Sequence, residues 1–384
     1  MSYLRKEITM FYKNARIYTA DHRFHLGAFE VKDGLFGTVL PEEVPADAID
    51  LGGATVIPGL IDVHIHGAMN FDFCDGDPEG LQRMAAYLAK EGVTSFAPAS
   101  LTISYDVLDK AFKNGKAFHD AAPKNCARLA GINMEGPYFN IKKKGGQNPA
   151  YLKHPDFPGF QKLYDGCGGL IRIVDIAPEL PGAADFIEKT KELCTVSLAH
   201  TDADYETAKA AYAAGATHTT HLYNAMPALH HRNPGVIGAA CENPKVRAEL
   251  ICDGMHVHPS AVRFAFAAFG SSRIVMISDA LRCCGLPDGD YEIGGLPCTV
   301  TGGLAHLADG TIAGSATNLF EGMRKAIGMG IPEEDAIRAA TDNPACAIGM
   351  GGRLGRIAPG AFADFIICRP DYTGKRVFLG GTEI

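Results

Sequence analysis

Short apolar runs alternate with longer segments of helical period through most of this 384-residue chain. Eight runs read as strands: 56–66, 94–100, 128–135, 171–177, 194–200, 217–222, 247–252 and 273–279. Between the first two, residues 81–90 carry apolar side chains at 81, 84, 85 and 88 and stop before Gly92, the spacing of one helix face. Residues 183–193, 205–214 and 259–269 repeat that pattern, and further helices are expected after 316 and after 332. Eight strands separated by helices predict an α/β fold, a (β/α)8 TIM-type barrel. Its chemistry gathers at the C-terminal ends of the parallel strands.

The two ends of the chain read differently. Residues 11–18 and 27–31 are strand-like, Lys32-Asp33-Gly34 is a turn signal, and 48–55 leads into the first barrel strand. That piece is too short to enclose a core. The other end offers a partner, since 360–368 reads as turn then strand and 375–379 as another strand. The expectation is a small β-sandwich domain built from both termini, 1–55 plus 358–384, beside a barrel of residues 56–357.

Composition narrows the function classes. The chain is 47% hydrophobic and 21% charged, ordinary for a soluble enzyme. Its net charge of −8 argues against a nucleic-acid partner. No window approaches the ~18 consecutive apolar residues of a membrane span. Residues 1–10 carry charges without a following apolar core and cleavage site, so no signal peptide is expected. The eleven cysteines include no Cys-x-x-Cys pair, and most lie in apolar runs. They read as buried thiols of a cytoplasmic protein. Cys283-Cys284 reads as loop packing near a pocket.

The chemistry begins at His64 and His66. Strand side chains alternate, so both imidazoles point to one side, while Ile61, Val63 and Ile65 face the other way into packing. Two imidazoles there can share one metal ion. Alone, each further candidate has a plain alternative: Glu135 a salt bridge to Lys142, Lys143 or Lys144, and His200 or His221 a hydrogen-bonded core position. Together, several histidines and a carboxylate at strand ends form a nitrogen–oxygen ligand set suited to zinc or ferrous iron. His218, three residues before His221, is expected to point across the barrel wall. Asp279 ends the last strand, where a carboxylate beside a metal-activated water can take a proton and return it to a leaving amine. The loop from Asn224-Ala225 through His230-His231-Arg232 offers donors for an anion, or is simply a solvated turn.

These motifs resemble the amidohydrolase superfamily and, within it, the N-acetylglucosamine-6-phosphate deacetylases. The resemblance is carried by 58–67 (PGLIDVHIHG), Met134-Glu135-Gly136-Pro137, Lys143-Lys144-Gly145, 221–226 (HLYNAM), Asp253-Gly254-Met255-His256-Val257, Ser278-Asp279-Ala280 and Ala313-Gly314-Ser315-Ala316, in family order over nearly the whole chain. It implies that Glu135, His200 and His221 bind a main divalent metal. It implies that His64 and His66 serve a second one, with Glu135 as the bridge, and that Asp279 is the acid/base. It also implies that Asn224, Ala225 and Arg232 hold the substrate phosphate and that His256 contacts the sugar phosphate. Arg232 would reach the neighbouring site of a homodimer. The sequence departs at Gln147, where some relatives carry a carbonyl-polarising histidine. Gln147 can donate a hydrogen bond but cannot become cationic. The expected reaction is deacetylation of N-acetylglucosamine 6-phosphate. The alternatives are the galactosamine epimer, a cyclic amide, or a non-catalytic scaffold. Cyclic-amide enzymes of the superfamily usually carry a strand-4 lysine, and 171–177 has none.

Overall fold

The computed structural model describes residues 9–384, so the expectation about a signal peptide at 1–10 lies almost wholly outside the described residues. The chain is a mixed α/β protein. Leu60–Ile65 pairs in parallel with Val93–Pro98, which pairs in turn with Arg128–Leu129. A second parallel sheet runs in chain order through Ile132–Tyr138, Ile171–Ile176, Thr195–Leu198, His218–Thr219, Arg247–Ile251 and Ile274–Ile277. Two backbone links tie the sheets together. A parallel bridge joins Ala99 to Asn133, and the Asp279 N–H donates to the His64 carbonyl at 2.9 Å. Leu60–Ile65, Val93–Pro98 and every strand of the larger sheet are each followed by a helix, from Pro78–Lys90 to Leu319–Gly328.

The first helix shows why these segments coil. The Asp77 carboxylate accepts the Glu79 N–H, Pro78 opens the first turn, and Leu81, Met84, Ala85 and Leu88 are buried, as their spacing predicts. Helices Tyr105–Ala121, Phe157–Gly166 and Gly235–Glu242 lie outside those the pattern predicts.

Several expected strands change. The run 56–66 is two strands. Thr55–Pro58 joins Thr9–Tyr18 and Phe365–Cys368, whereas Leu60–Ile65 joins the parallel sheet. Gly59 makes the crossing possible, because a Cβ there would sit 2.1 Å from Thr94 Oγ1. The run 128–135 divides as well, Arg128–Leu129 pairing with Val93–Pro98 and Ile132–Tyr138 with Ile171–Ile176. Strict alternation fails after Asp62. Ile61 and Val63 pack with Ile173, Ile251 and Val275, but Ile65 joins the main core, and the register is irregular between Asp62 and Ile65.

Both ends of the described chain enter one sheet. Its order is Thr382–Glu383, Arg376–Leu379, Phe365–Cys368, Thr55–Pro58, Thr9–Tyr18, Phe24–Lys32 and Leu35–Val39, with Ile49–Asp50 also paired to Thr9–Tyr18. Asp33 and Gly34, at φ 51° and 81°, make the two-residue turn between Phe24–Lys32 and Leu35–Val39. Tyr12, Phe29, Phe36, Phe365 and Phe378 form an aromatic core on this sheet, with Phe365 and Phe378 stacked at 4.4 Å. Asp342 ties the sheet to the rest, meeting His22 Nε2 at 3.0 Å and Arg356 Nη2 at 2.9 Å.

A four-stranded antiparallel sheet, Gly289–Ile293, Leu296–Thr301, Leu304–Leu307 and Ile312–Ser315, also lies outside the predicted elements. Its signal is the punctuation of short runs by Gly294-Gly295, Gly302-Gly303 and Asp309-Gly310. No helix among the described residues is long and apolar enough to cross a membrane.

Candidate active site

The ends of the parallel strands converge on Glu135. Its Oε1 lies 3.0 Å from His200 Nε2, 3.3 Å from His221 Nε2 and 3.5 Å from His64 Nε2. Its Oε2 lies 3.3 Å from His66 Nε2 and accepts from Gln147 Nε2 at 2.6 Å. His66 Nε2 is 3.2 Å from Asp279 Oδ1. Two groups of ligand atoms result: Glu135, His200 and His221 in one, and His64, His66 and Asp279 in the other. All six residues are buried.

Backbone conformation sets several of these side chains. His200, His221 and Asp279 adopt left-handed φ of 44°, 29° and 47°. Such conformations cost of order 1–3 kcal/mol each, and they turn the chain out of its strand at the residue that must face the site. His221 ends its strand this way, so the expected run 217–222 is a strand only over His218–Thr219. Glu135 instead lies inside Ile132–Tyr138, whose register is irregular between Met134 and Tyr138; Gly136 there has φ 90°, and a Cβ would press within 2.3 Å of Thr102 Oγ1.

Hydrogen-bond partners test whether a cation fits. His200 Nδ1 faces the Lys143 carbonyl at 2.8 Å, which can only accept, so Nδ1 carries the proton. The neutral ring then aims a bare Nε2 lone pair at a carboxylate oxygen and, 3.1 Å away, at His221 Nε2. His64 repeats the arrangement, with Nδ1 2.9 Å from Glu249 Oε2 and a buried Nε2 that has no hydrogen-bond partner. Lone pairs converging without protons repel one another unless a cation lies between them. Separations of 3.0–3.3 Å suit ligands about 2.0–2.2 Å from one ion. The donor set therefore fits a divalent metal.

Charges follow the same geometry. Burial opposes ionisation of Glu135, but the positive charge that Glu249 and Glu135 favour on His64, with the hydrogen bonds of His200 and His221, outweighs it and holds its carboxyl well below the usual range; protons and a divalent cation are alternative ways to neutralise this cluster. Burial likewise opposes ionisation of Asp279, and its hydrogen bond to His66 with the nearby imidazoles pulls it below 3.8. Asp62 has no such neighbours in strength, and burial pushes it up to about 7.

The groups open into a cavity of about 440 Å³, lined also by Gln147, Asn224, Ala225, His256 and Gly145. Gln147 is fixed at both ends, since its Oε1 accepts the Thr102 N–H at 2.7 Å. The Asn224 amide donates to the His221 carbonyl at 3.2 Å. His256 meets Asp253 through Nδ1 at 2.6 Å and leaves its buried Nε2 without a partner. Arg232 is exposed and does not line the cavity; its guanidinium meets His231 at 2.7 Å. His218 stays clear of both ligand groups, and its Nε2 is 3.2 Å from Glu249 Oε1. Sequence reading passes over Glu249 and Thr102, and places Asp253 in a motif without giving it a role. Glu249 carried a signal, a lone charge inside the apolar run Ala248-Glu249-Leu250-Ile251.

Known proteins share this architecture. An amidohydrolase family model matches residues 55–384. The N-acetylglucosamine-6-phosphate deacetylase of Bacillus subtilis (strain 168) is 37% identical over 94% of this chain and 93% of its own length. The N-acetylgalactosamine-6-phosphate deacetylase of Escherichia coli O157:H7 is 32% identical over 91% and 93%. The N-acetyl-D-glucosamine-6-phosphate deacetylase of Mycobacterium smegmatis, solved as a mutant in complex with N-acetyl-D-glucosamine-6-phosphate, superposes with a TM-score of 0.91 at 30% identity, covering 98% of this chain and 99% of that one. With two sets of metal-ligating side chains at the ends of parallel strands and a family match over most of its length, the chain belongs to the amidohydrolase family.

Proposed function

We propose that this protein hydrolyses N-acetylglucosamine 6-phosphate to glucosamine 6-phosphate and acetate. The observation that carries the reading is the convergence of His66, Glu135, His200, His221 and Asp279 on one cavity that Asn224, Ala225 and His256 also line, with His64 buried behind them and its Nε2 3.5 Å from Glu135 Oε1. Glu135, His200 and His221 would hold one divalent ion, zinc or iron, and His64 and His66 a second, bridged by Glu135. Bound there, such an ion acidifies a water towards a pKa of ~7 and polarises the amide carbonyl. Asp279 takes the water's proton and returns it to the departing amine nitrogen. Gln147 gives one Nε2 hydrogen to Glu135 and turns the other to the acetyl oxygen. Asn224 and the Ala225 backbone receive the phosphate, and His256 orients it. Arg232, turned away from its own cavity, completes the phosphate site of a partner subunit in a homodimer.

In this reading the eight parallel strands close into a (β/α)8 barrel. The links from Ala99 to Asn133 and from Asp279 to His64 support the closure. The terminal strands, with Thr55–Pro58 among them, form the small β-sandwich domain expected for 1–55 with 358–384, and the barrel takes up the chain from Leu60. The eleven free thiols suit a reducing cytoplasm.

The test is amine release by metal-loaded protein from N-acetylglucosamine 6-phosphate, its galacto epimer and the unphosphorylated sugar. Preference for the phosphorylated gluco substrate is expected. The Escherichia coli relative motivates the epimer, and equal turnover of both would widen the substrate class while keeping the mechanism. No turnover of any of the three would overturn the reading.

A further inference from the structure

Beneath the ligand groups lies a carboxylate that neither faces the cavity nor meets a lysine or arginine. Glu249 is fully buried on Arg247–Ile251. All the hydrogen bonds of its carboxylate go to histidine residues. Oε2 lies 2.9 Å from His64 Nδ1 and accepts the His221 backbone N–H at 3.2 Å, and Oε1 lies 3.2 Å from His218 Nε2. His218 Nδ1 is buried without a partner, so the His218 proton belongs on Nε2, where it meets Glu249.

We propose that Glu249, held by His218, is the positioning residue of the His64–His66–Asp279 metal subsite. By accepting the Nδ1–H of His64 it keeps that ring in the one tautomer whose Nε2 is bare and aimed between Glu135 and Asp279. With the proton on Nε2 instead, a lone pair would face Glu249 at 2.9 Å and the subsite would lose a ligand. A carboxylate behind a metal-bound histidine also raises the ring's basicity and so its hold on a cation. The same residue anchors the backbone of His221, a member of the other subsite, but sets none of that ring's protons. The dependence is therefore lopsided: the second ion, not the first, relies on Glu249. The inference rests on the two-ion reading of the site.

Titration of metal-free protein with Co(II), followed by visible absorption and by metal content after dialysis, tests it. Wild type should take up two ions per chain in two phases. Glu249→Leu keeps the bulk and removes the acceptors. It should leave the first phase in place and weaken the second by about 10–100-fold. Glu249→Gln can still accept from His64, with its amide donating to His218 once that proton moves to Nδ1, and should restore most of the second phase. A Glu249→Leu protein with two wild-type phases overturns the proposal, and so does a Glu249→Gln protein as weakened as Glu249→Leu. Wild type binding a single ion overturns the two-ion reading and the proposal with it. Should Glu249→Leu not fold, nitrogen-15 spectra of histidine-labelled wild type loaded with zinc decide the matter. A proton on Nδ1 of His64 upholds the assignment, and one on Nε2 refutes it.

Discussion

Asp279 faces two histidines that would share its metal, His66 at 3.2 Å and His64 at 3.7 Å, and lines the cavity where substrate would lie. A proton shuttle needs that double access. Asp279→Asn keeps the shape and removes the basicity. It should fold and still bind the ion of Glu135, His200 and His221, but lose roughly 10²–10⁴-fold in turnover. A near-normal rate would remove Asp279 from the proton path. The aim of such residues is set by backbone that hydrophobic periodicity does not reveal. Left-handed φ at His200, His221 and Asp279 follows from local turns after each strand. A pattern of apolar residues locates the strand end but not the turn.

At the scale of elements, the clearest clamp is Asp342 at the start of Asp342–Ala347. Burial raises the cost of its charge, yet His22 and Arg356 overcome it and draw its pKa from 3.8 to about 2. A depressed carboxylate pKa contributes stability that is complete above 3.8 and disappears as pH falls through about 2. The contribution is about 2 kcal/mol. Asp342→Asn should melt lower than wild type near neutral pH, and the gap should close as the pH approaches 2. Equal melting at neutral pH would show that the clamp contributes nothing. The strand–helix alternation and the terminal sheet were legible because Leu81, Met84, Ala85 and Leu88 face one core and Tyr12, Ala15 and Ile17 of Thr9–Tyr18 another. His64, His66, Glu135, His200 and His221 were legible as ligand-type residues at or near strand ends and Asp279 as a proton carrier, but the grouping of Asp279 with His64 and His66 was not. The break at Gly59 was not, because an unbroken apolar run looks the same whether it serves one sheet or two. Nor was the partnership of His218 with Glu249, which joins neighbouring strands in a buried layer and leaves no periodic trace.

For the whole molecule, the exposed position of Arg232 gives the proposed dimer a test. Arg232→Ala should raise KM for the phosphorylated substrate. If that side chain serves the neighbouring site, mixing weakly active Arg232→Ala with inactive Asp279→Asn, followed by subunit exchange, should recover activity. Each mixed dimer then holds one site with a native Asp279 and a native Arg232 from across the interface. No recovery after demonstrated exchange would confine each site to its own chain. The terminal sheet has a consequence in time as well as in space. Thr55–Pro58 lies between Thr9–Tyr18 and Phe365–Cys368, so one of its edges waits for residues made long after it. Until they emerge from the ribosome, Phe29 and Val56 belong to a half-built layer with an open edge, the kind of surface that invites pairing with another nascent chain. The parallel strands can assemble as they appear, but the layer that joins Thr9–Tyr18 to Phe365–Cys368 through Thr55–Pro58 closes only after the whole stretch between them has been made.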